Sequence, residues 1–199
     1  MYSYIKGTLE IKANGYVVID NNGIGYKIFM SENGIEELGE IGENVKVYTY
    51  YHVREDNISL FGFTSNEELR MFELLISVSG VGAKSAINML SAITPSDFAL
   101  AIISNDISSL VKVPGIGAKS AQRIILELKD KLKTEEAISK VDNKVKIALK
   151  QDNNSEEAIA ALQVLGYNKK EVEKVLEKVD TSALSVEDII RKALSYLGR

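Results

Sequence analysis

Val78-Ser79-Gly80-Val81-Gly82-Ala83-Lys84-Ser85-Ala86 returns 35 residues later as Val113-Pro114-Gly115-Ile116-Gly117-Ala118-Lys119-Ser120-Ala121. Each copy follows an apolar helical segment and precedes another. The unit is therefore helix, Gly-aliphatic-Gly hairpin, helix, and the two units form a tandem helix-hairpin-helix domain. The paired glycines permit positive φ and leave no Cβ in the way of a close approach. The aliphatic residue between them is placed to plug back between the helices. Such a turn leaves the first N–H groups of the next helix unpaired and outward-facing, which, with the helix dipole, makes a phosphate site.

Lys84 and Lys119 add positive charge where the anion would sit. The residues predicted to bind DNA phosphates are Gly80, Val81, Gly82, Lys84 and Ser85 in one copy, and Gly115, Ile116, Gly117, Lys119 and Ser120 in the other. Arg123, one turn beyond Lys119, is placed to reach an adjacent phosphate; a solvated face is the plain alternative. A single Gly-x-Gly turn would read as a tight helix connection, but two copies with the same flanks favour the phosphate reading. Phosphate contacts carry no base information, so duplex shape rather than sequence is expected to be read. Gly-Ala-Lys-Ser resembles the end of a nucleotide-binding loop, but alanine stands where that loop needs glycine, and a helix precedes it instead of a strand. No ATP site is expected.

Upstream, residues 1–63 alternate as short strands: Ile5–Ile11, Gly15–Asp20, Tyr26–Met30, Val45–Tyr50 and Ile58–Phe63. Gly and Asn turns separate them, and Glu32–Leu38 fits one short helix. Five such strands with that helix suit an OB-type antiparallel barrel. Residues 64–134 carry the tandem hairpins. Within them Thr94-Pro95-Ser96-Asp97 supplies an N-cap, a proline at the first helical position and an acid in the first turn. Gly117–Leu132 is expected to be a long helix with a basic end at Lys129, Lys131 and Lys133. Residues 135–153 are polar without an apolar stripe and are expected to be a flexible linker. Residues 154–199 show three capped helices, opened by Asn154 with Glu157, Asn168 with Glu171, and Ser185 with Asp188, and are expected to form a three-helix bundle.

Composition removes several function classes. Among 199 residues there is no cysteine and a single histidine. Disulfides, thiolate metal sites and cysteine nucleophiles are absent, and a histidine-based metal site or triad is unsupported. The opening residues have no charged stretch leading into an apolar core, so a cytoplasmic protein is expected. The net charge of −4 is unevenly spread. Residues 1–63 carry 5 basic and 9 acidic groups, whereas residues 64–134 carry 8 and 7. The acidity is concentrated at the front, away from the hairpins.

The strand-rich front, the segment His52-Val53-Arg54-Glu55-Asp56-Asn57-Ile58-Ser59-Leu60-Phe61-Gly62-Phe63, the two hairpins and the C-terminal helices together resemble the RuvA family, the bacterial Holliday junction branch migration subunits. The resemblance covers nearly the whole chain in order, and the Arg-Glu-Asp segment feeding Leu-Phe-Gly-Phe is its most specific part. It implies a non-catalytic, structure-specific junction-binding subunit acting in recombination and repair. It also implies a homotetramer with four-fold symmetry, and leaves one tetramer or two (an octamer) on the junction as alternatives.

Glu55 and Asp56 match the family's acidic pin at the crossover; by themselves they read as an exposed acidic hairpin tip. The C-terminal bundle, of the ubiquitin-associated (UBA-like) type, would dock on the RuvB motor ATPase, with the RuvC resolvase as a further partner. Its contact surface is expected on the apolar parts of its first and third helices. Leu165-Gly166-Tyr167 reads as a helix C-cap with a packing tyrosine. Tyr48, Tyr50 and Tyr51 read as barrel core and subunit contact, and His52 as a plain strand residue. No cofactor and no metal are implied. Two other classes compete. A repair enzyme would need a placed nucleophile or a metal-binding carboxylate cluster, and an interaction adaptor would use the hairpins only for packing.

Overall fold

The computed structural model describes residues 2–139, 153–181 and 184–197. Its front is a closed barrel of β1 (Tyr4–Ala13), β2 (Tyr16–Asn21), β3 (Ile24–Phe29), β4 (Asn44–Val53) and β5 (Ile58–Phe63), in the order β1-β2-β3-β5-β4. Closure rests on β1, which pairs with β4 through its first half and with β2 through its second. A register shift between Leu9 and Ile11 supplies the bend that this double pairing needs. All pairings are antiparallel except β3 with β5, which run parallel and meet at Phe29 and Phe61. The inward-facing alternate residues Leu9, Val17, Ile19, Ile28 and Val47 are fully buried. Gly62 faces into this core, where a Cβ would run into the side chains of Ile28 and Val47. The short helix α1 (Glu32–Glu37), capped by Ser31, lies between β3 and β4, as the OB-type reading expects.

A second core begins where the barrel ends. Phe72 of α2 (Asn66–Ile76) packs against Phe61, Phe63 and Tyr50, with ring centroids 4.9–5.3 Å apart. Tyr50 thus faces the helical domain. Polar contacts lock the same joint. Ser91 accepts from the Glu32 N–H and its carbonyl accepts from Asn33. Glu68 accepts two hydrogen bonds from Thr64, yet burial still pushes its carboxyl above the usual range. The barrel therefore holds the next helices in a set orientation. These are α3 (Ala83–Leu90), α4 (Pro95–Ser104), α5 (Ile107–Val111) and α6 (Ala118–Ser139). Thr94 caps α4 through the Asp97 N–H, with Pro95 at the first turn. At its other end Asn105 is left-handed, and Lys129 donates to both the Ile103 carbonyl and the Asn105 side chain at 2.8 Å. That cation is used to close a helix C-terminus.

The last helices are α7 (Asn153–Val164), α8 (Lys169–Leu176) and α9 (Val186–Leu197). Three expectations change here. First, α6 runs to Ser139, beyond the expected helix end at Leu132 and into the expected linker; residues 140–152 of that linker lie outside the described residues. Second, α7 starts one residue before Asn154, whose side chain donates to the Leu184 carbonyl instead of capping. Asn168 and Ser185 do cap α8 and α9. Third, the bundle is seated on the hairpin domain. Helices α7 and α9 lie against α4, so their apolar faces are partly occupied within the chain itself.

At the edge of that seat, Gly166 takes φ +81 after α7 and turns Tyr167 into the joint. The Arg70 guanidinium lies 4.2 Å from the Tyr167 ring centroid and donates to the Gly166 carbonyl at 2.9 Å. The Tyr167 hydroxyl donates to Glu67, and burial together with that carboxylate holds the phenol well above the usual tyrosine range. A cation–π contact and a hydrogen bond of this kind contribute about 1–2 kcal/mol. Arg70→Ala is expected to speed amide hydrogen exchange in α4 and α7 while leaving the barrel strands unchanged. Unaltered exchange in α4 would show that the joint does not depend on this contact.

Candidate nucleic-acid interface

The two sequence copies fold as the same object. In the first hairpin the Val81 N–H donates to the Val78 carbonyl at 3.1 Å, and the Ala86 N–H to the Gly82 carbonyl at 2.9 Å. In the second, Ile116 donates to Val113 at 3.1 Å and Ala121 to Gly117 at 2.9 Å. Gly80 and Gly115 both take φ +87, the left-handed region that favours glycine. The second glycines differ from the sequence expectation. Gly82 sits at φ −89, and Gly117 is likewise outside the left-handed region. A Cβ built on either meets no atom within 4 Å. The fold itself therefore places no demand for glycine at these two positions, and the space beside each is open.

Val81 and Ile116 point inward as plugs, Ile116 buried and Val81 partly so. Their N–H groups are committed to the turn, so these two residues shape the hairpins without offering a free donor. No side chain caps α3 after Gly82, which leaves its first N–H groups open to an incoming acceptor. Lys84, Ser85, Lys119 and Ser120 are exposed, and neither lysine makes an ion pair among the described residues. A cleft of about 560 Å³ runs between the barrel and these turns, bordered by Asn14, Asn57, Phe61, Lys84 and Pro114. It brings the neighbour of Asp56 and the first hairpin to one hollow.

The comparisons follow the same three parts. The RuvA N terminal domain model matches residues 1–62, the SAM-like helix-hairpin-helix tandem model residues 72–130, and the RuvA C-terminal domain model residues 153–198. The Holliday junction branch migration complex subunit RuvA of Acetivibrio thermocellus is 50% identical over 201 residues, covering all of both chains. Those of Clostridium perfringens, at 47%, and Ruminiclostridium cellulolyticum, at 46%, align over essentially their full length. The chain belongs to the RuvA family.

In this RuvA-family chain Glu55 and Asp56 form the exposed tip between β4 and β5. Arg54 N–H donates to the Asn57 carbonyl at 2.8 Å and closes the turn beneath them. The strands leading to the tip pair as Val53 with Ile58, both about 60% exposed. The two carboxylates are thus carried outward on a two-stranded stalk. Arg123, half exposed one turn beyond Lys119, also serves the other hairpin. Its guanidinium reaches across to the first hairpin and donates to the Ser79 carbonyl at 3.2 Å, and it pairs with Glu127 at 3.8 Å. Sequence reading missed Ser79 and Glu127 altogether. The i, i+4 spacing of Arg123 and Glu127 marks a pair on one helix face, but nothing local reveals the distant turn that they hold. No group of three His, Asp or Glu side chains able to hold a metal ion occurs among the described residues.

Proposed function

We propose that this chain is a non-catalytic DNA-binding subunit that grips four-way junctions by their phosphates, independently of base sequence, and recruits an ATPase motor for branch migration. The observation that carries the reading is the pair of equivalent hairpins, each with a second glycine that the fold does not require and an exposed lysine one residue into the next helix. Gly80, Gly82, Lys84 and Ser85 would form one grip, and Gly115, Gly117, Lys119 and Ser120 the other. Val81 and Ile116 shape the turns, and Arg123 offers its remaining donors nearby.

Glu55 and Asp56 would act as an acidic pin at the crossover, where carboxylates repel phosphates and hold the centre open. The relatives' name as subunits of a branch migration complex supports a motor partner of the RuvB kind, docked through residues 154–199, with a resolvase as a further partner. A homotetramer acting in the cytoplasm, with one tetramer or two on the junction, completes the proposal. The exposed barrel residues Tyr2, Tyr4, Ile24 and Ile41 offer apolar surface for such an assembly.

A gel-shift comparison of a synthetic four-way junction with linear duplex of the same arm sequence, at fixed salt and without ATP or metal, tests this. Strong preference for the junction whatever the arm sequence is expected. Lys84→Ala or Lys119→Ala is expected to weaken binding to every sequence and to lower the salt slope by about 1 each. Equal binding to both DNAs would reduce the protein to a general phosphate-gripping module, and unchanged slopes would remove the lysines from the interface.

A further inference from the structure

The backbone of Ser79, the residue immediately before Gly80, is held at both ends by side chains from α6, the helix that starts at the other hairpin. Its N–H donates to Glu127 Oε2 at 3.2 Å, and its carbonyl accepts from Arg123 Nη1 at 3.2 Å. Arg123 Nε and Glu127 Oε1, 3.8 Å apart, close the ring. We propose that Glu127 is a positioning residue for DNA binding: through Ser79 and Arg123 it ties the first hairpin to the second, so that both grips present a fixed geometry to the phosphates. The inference rests on the phosphate-grip reading above.

Three observations carry it. The first is electrostatic. A carboxylate beside a surface that gathers phosphates weakens binding, so its presence there calls for a compensating role. The second is that the pair adds little to α6 alone. Exposed i, i+4 pairs contribute about 0.3–0.5 kcal/mol, and arginine preceding glutamate is the less favourable order. The third is the broken symmetry of the repeat. The positions matching Ser79, Arg123 and Glu127 in the other copy are Pro114, Asn88 and Ala92. No clamp is possible there, and none is needed: Pro114 has no N–H to satisfy, and its ring fixes φ. Each hairpin is therefore stiffened just before its first glycine, one by a ring and the other by a clamp. Both first glycines then reach the same φ of +87.

The test is duplex and four-way junction binding by the full-length chain across a salt series. Glu127→Ala is expected to weaken both by roughly tenfold, the lower end for a lost hydrogen bond to a charged group, although it removes a negative charge. The salt slope is expected to stay at the parent value, since no phosphate contact is lost. Ser79→Pro placed on Glu127→Ala is expected to restore affinity, because proline supplies at 79 the restraint that Pro114 supplies in the other hairpin. Binding by Glu127→Ala equal to or tighter than the parent would overturn the clamp, as would failure of the proline to rescue a variant that melts like the parent. Lys84→Ala and Lys119→Ala run alongside. If they lower the slope while Glu127→Ala binds normally, only the clamp fails; if they too leave binding and slope untouched, the grip reading fails and takes the clamp with it.

Discussion

Gly82→Ala together with Gly117→Ala is expected to abolish most DNA binding while the protein melts close to the parent temperature. Gly82 has a φ of −89 and ψ of 161, which alanine adopts without strain, and a Cβ at 82 or 117 meets nothing within 4 Å. Two small terms then offset one another. Alanine is a poorer N-cap than glycine by several tenths of a kcal/mol, and replacing glycine narrows the unfolded ensemble, which stabilises by about 0.4–1 kcal/mol. The new methyl group instead occupies the space through which a phosphate oxygen would reach the first N–H groups of the helix. Losing one charge-assisted hydrogen bond costs about 1.5–3 kcal/mol, or roughly ten- to a hundredfold in affinity per hairpin.

The contrast with the first glycines makes the result interpretable. Gly80→Ala and Gly115→Ala force a side chain into φ +87 and are expected to destabilise the fold by about 1–3 kcal/mol each. Melting curves and gel shifts on the two double variants separate a glycine that the fold needs from a glycine that a ligand needs. Normal DNA binding by the 82/117 variant would return both hairpins to the status of helix connectors.

Neutralising the acidic tip is expected to act in the opposite direction. Glu55→Gln with Asp56→Asn should raise affinity for linear duplex about five- to tenfold and shrink the preference for a four-way junction. A carboxylate and a phosphate 4 Å apart repel by about 1 kcal/mol in water and about 4 kcal/mol at an effective dielectric of 20. The tip is exposed, so the lower end applies to each contact. Both residues lie outside every core, and the turn is closed by the backbone bond from Arg54 to Asn57, which the substitutions leave in place. The salt dependence checks the cause: the gain should fade as ionic strength rises. Duplex affinity that stays at the parent value would make Glu55 and Asp56 an ordinary solvated turn.

Much of the site was legible in the sequence because it is local. A Gly-aliphatic-Gly turn, a helix N-terminus and a lysine one residue into the helix all lie within nine residues, and their geometry follows from φ, ψ and the helix hydrogen-bond pattern. The same holds for the caps at Thr94, Asn168 and Ser185 and for the alternation of β1 to β5. What failed was local in appearance only. Asn154 has the composition of a cap but spends its amide on Leu184, thirty residues away. Lys129 belongs to a basic helix end, yet it closes the C-terminus of α4.

By itself, then, the sequence determined the kinds of element, their order, and which turns combine a glycine pair, an open helix N-terminus and a lysine. Only the tertiary structure decided which partners those elements find. It paired β3 with β5 in parallel to close the barrel, drew Arg123 and Glu127 across to Ser79, separated the glycines that bend the chain from those that leave room beside it, and seated α7 and α9 on α4. The physical reason is one of range. Backbone preference and side-chain period act over a few residues and are written in neighbouring letters. Close packing and long-range hydrogen bonds join positions up to 100 residues apart, and they depend on shapes that exist only once the elements have come together.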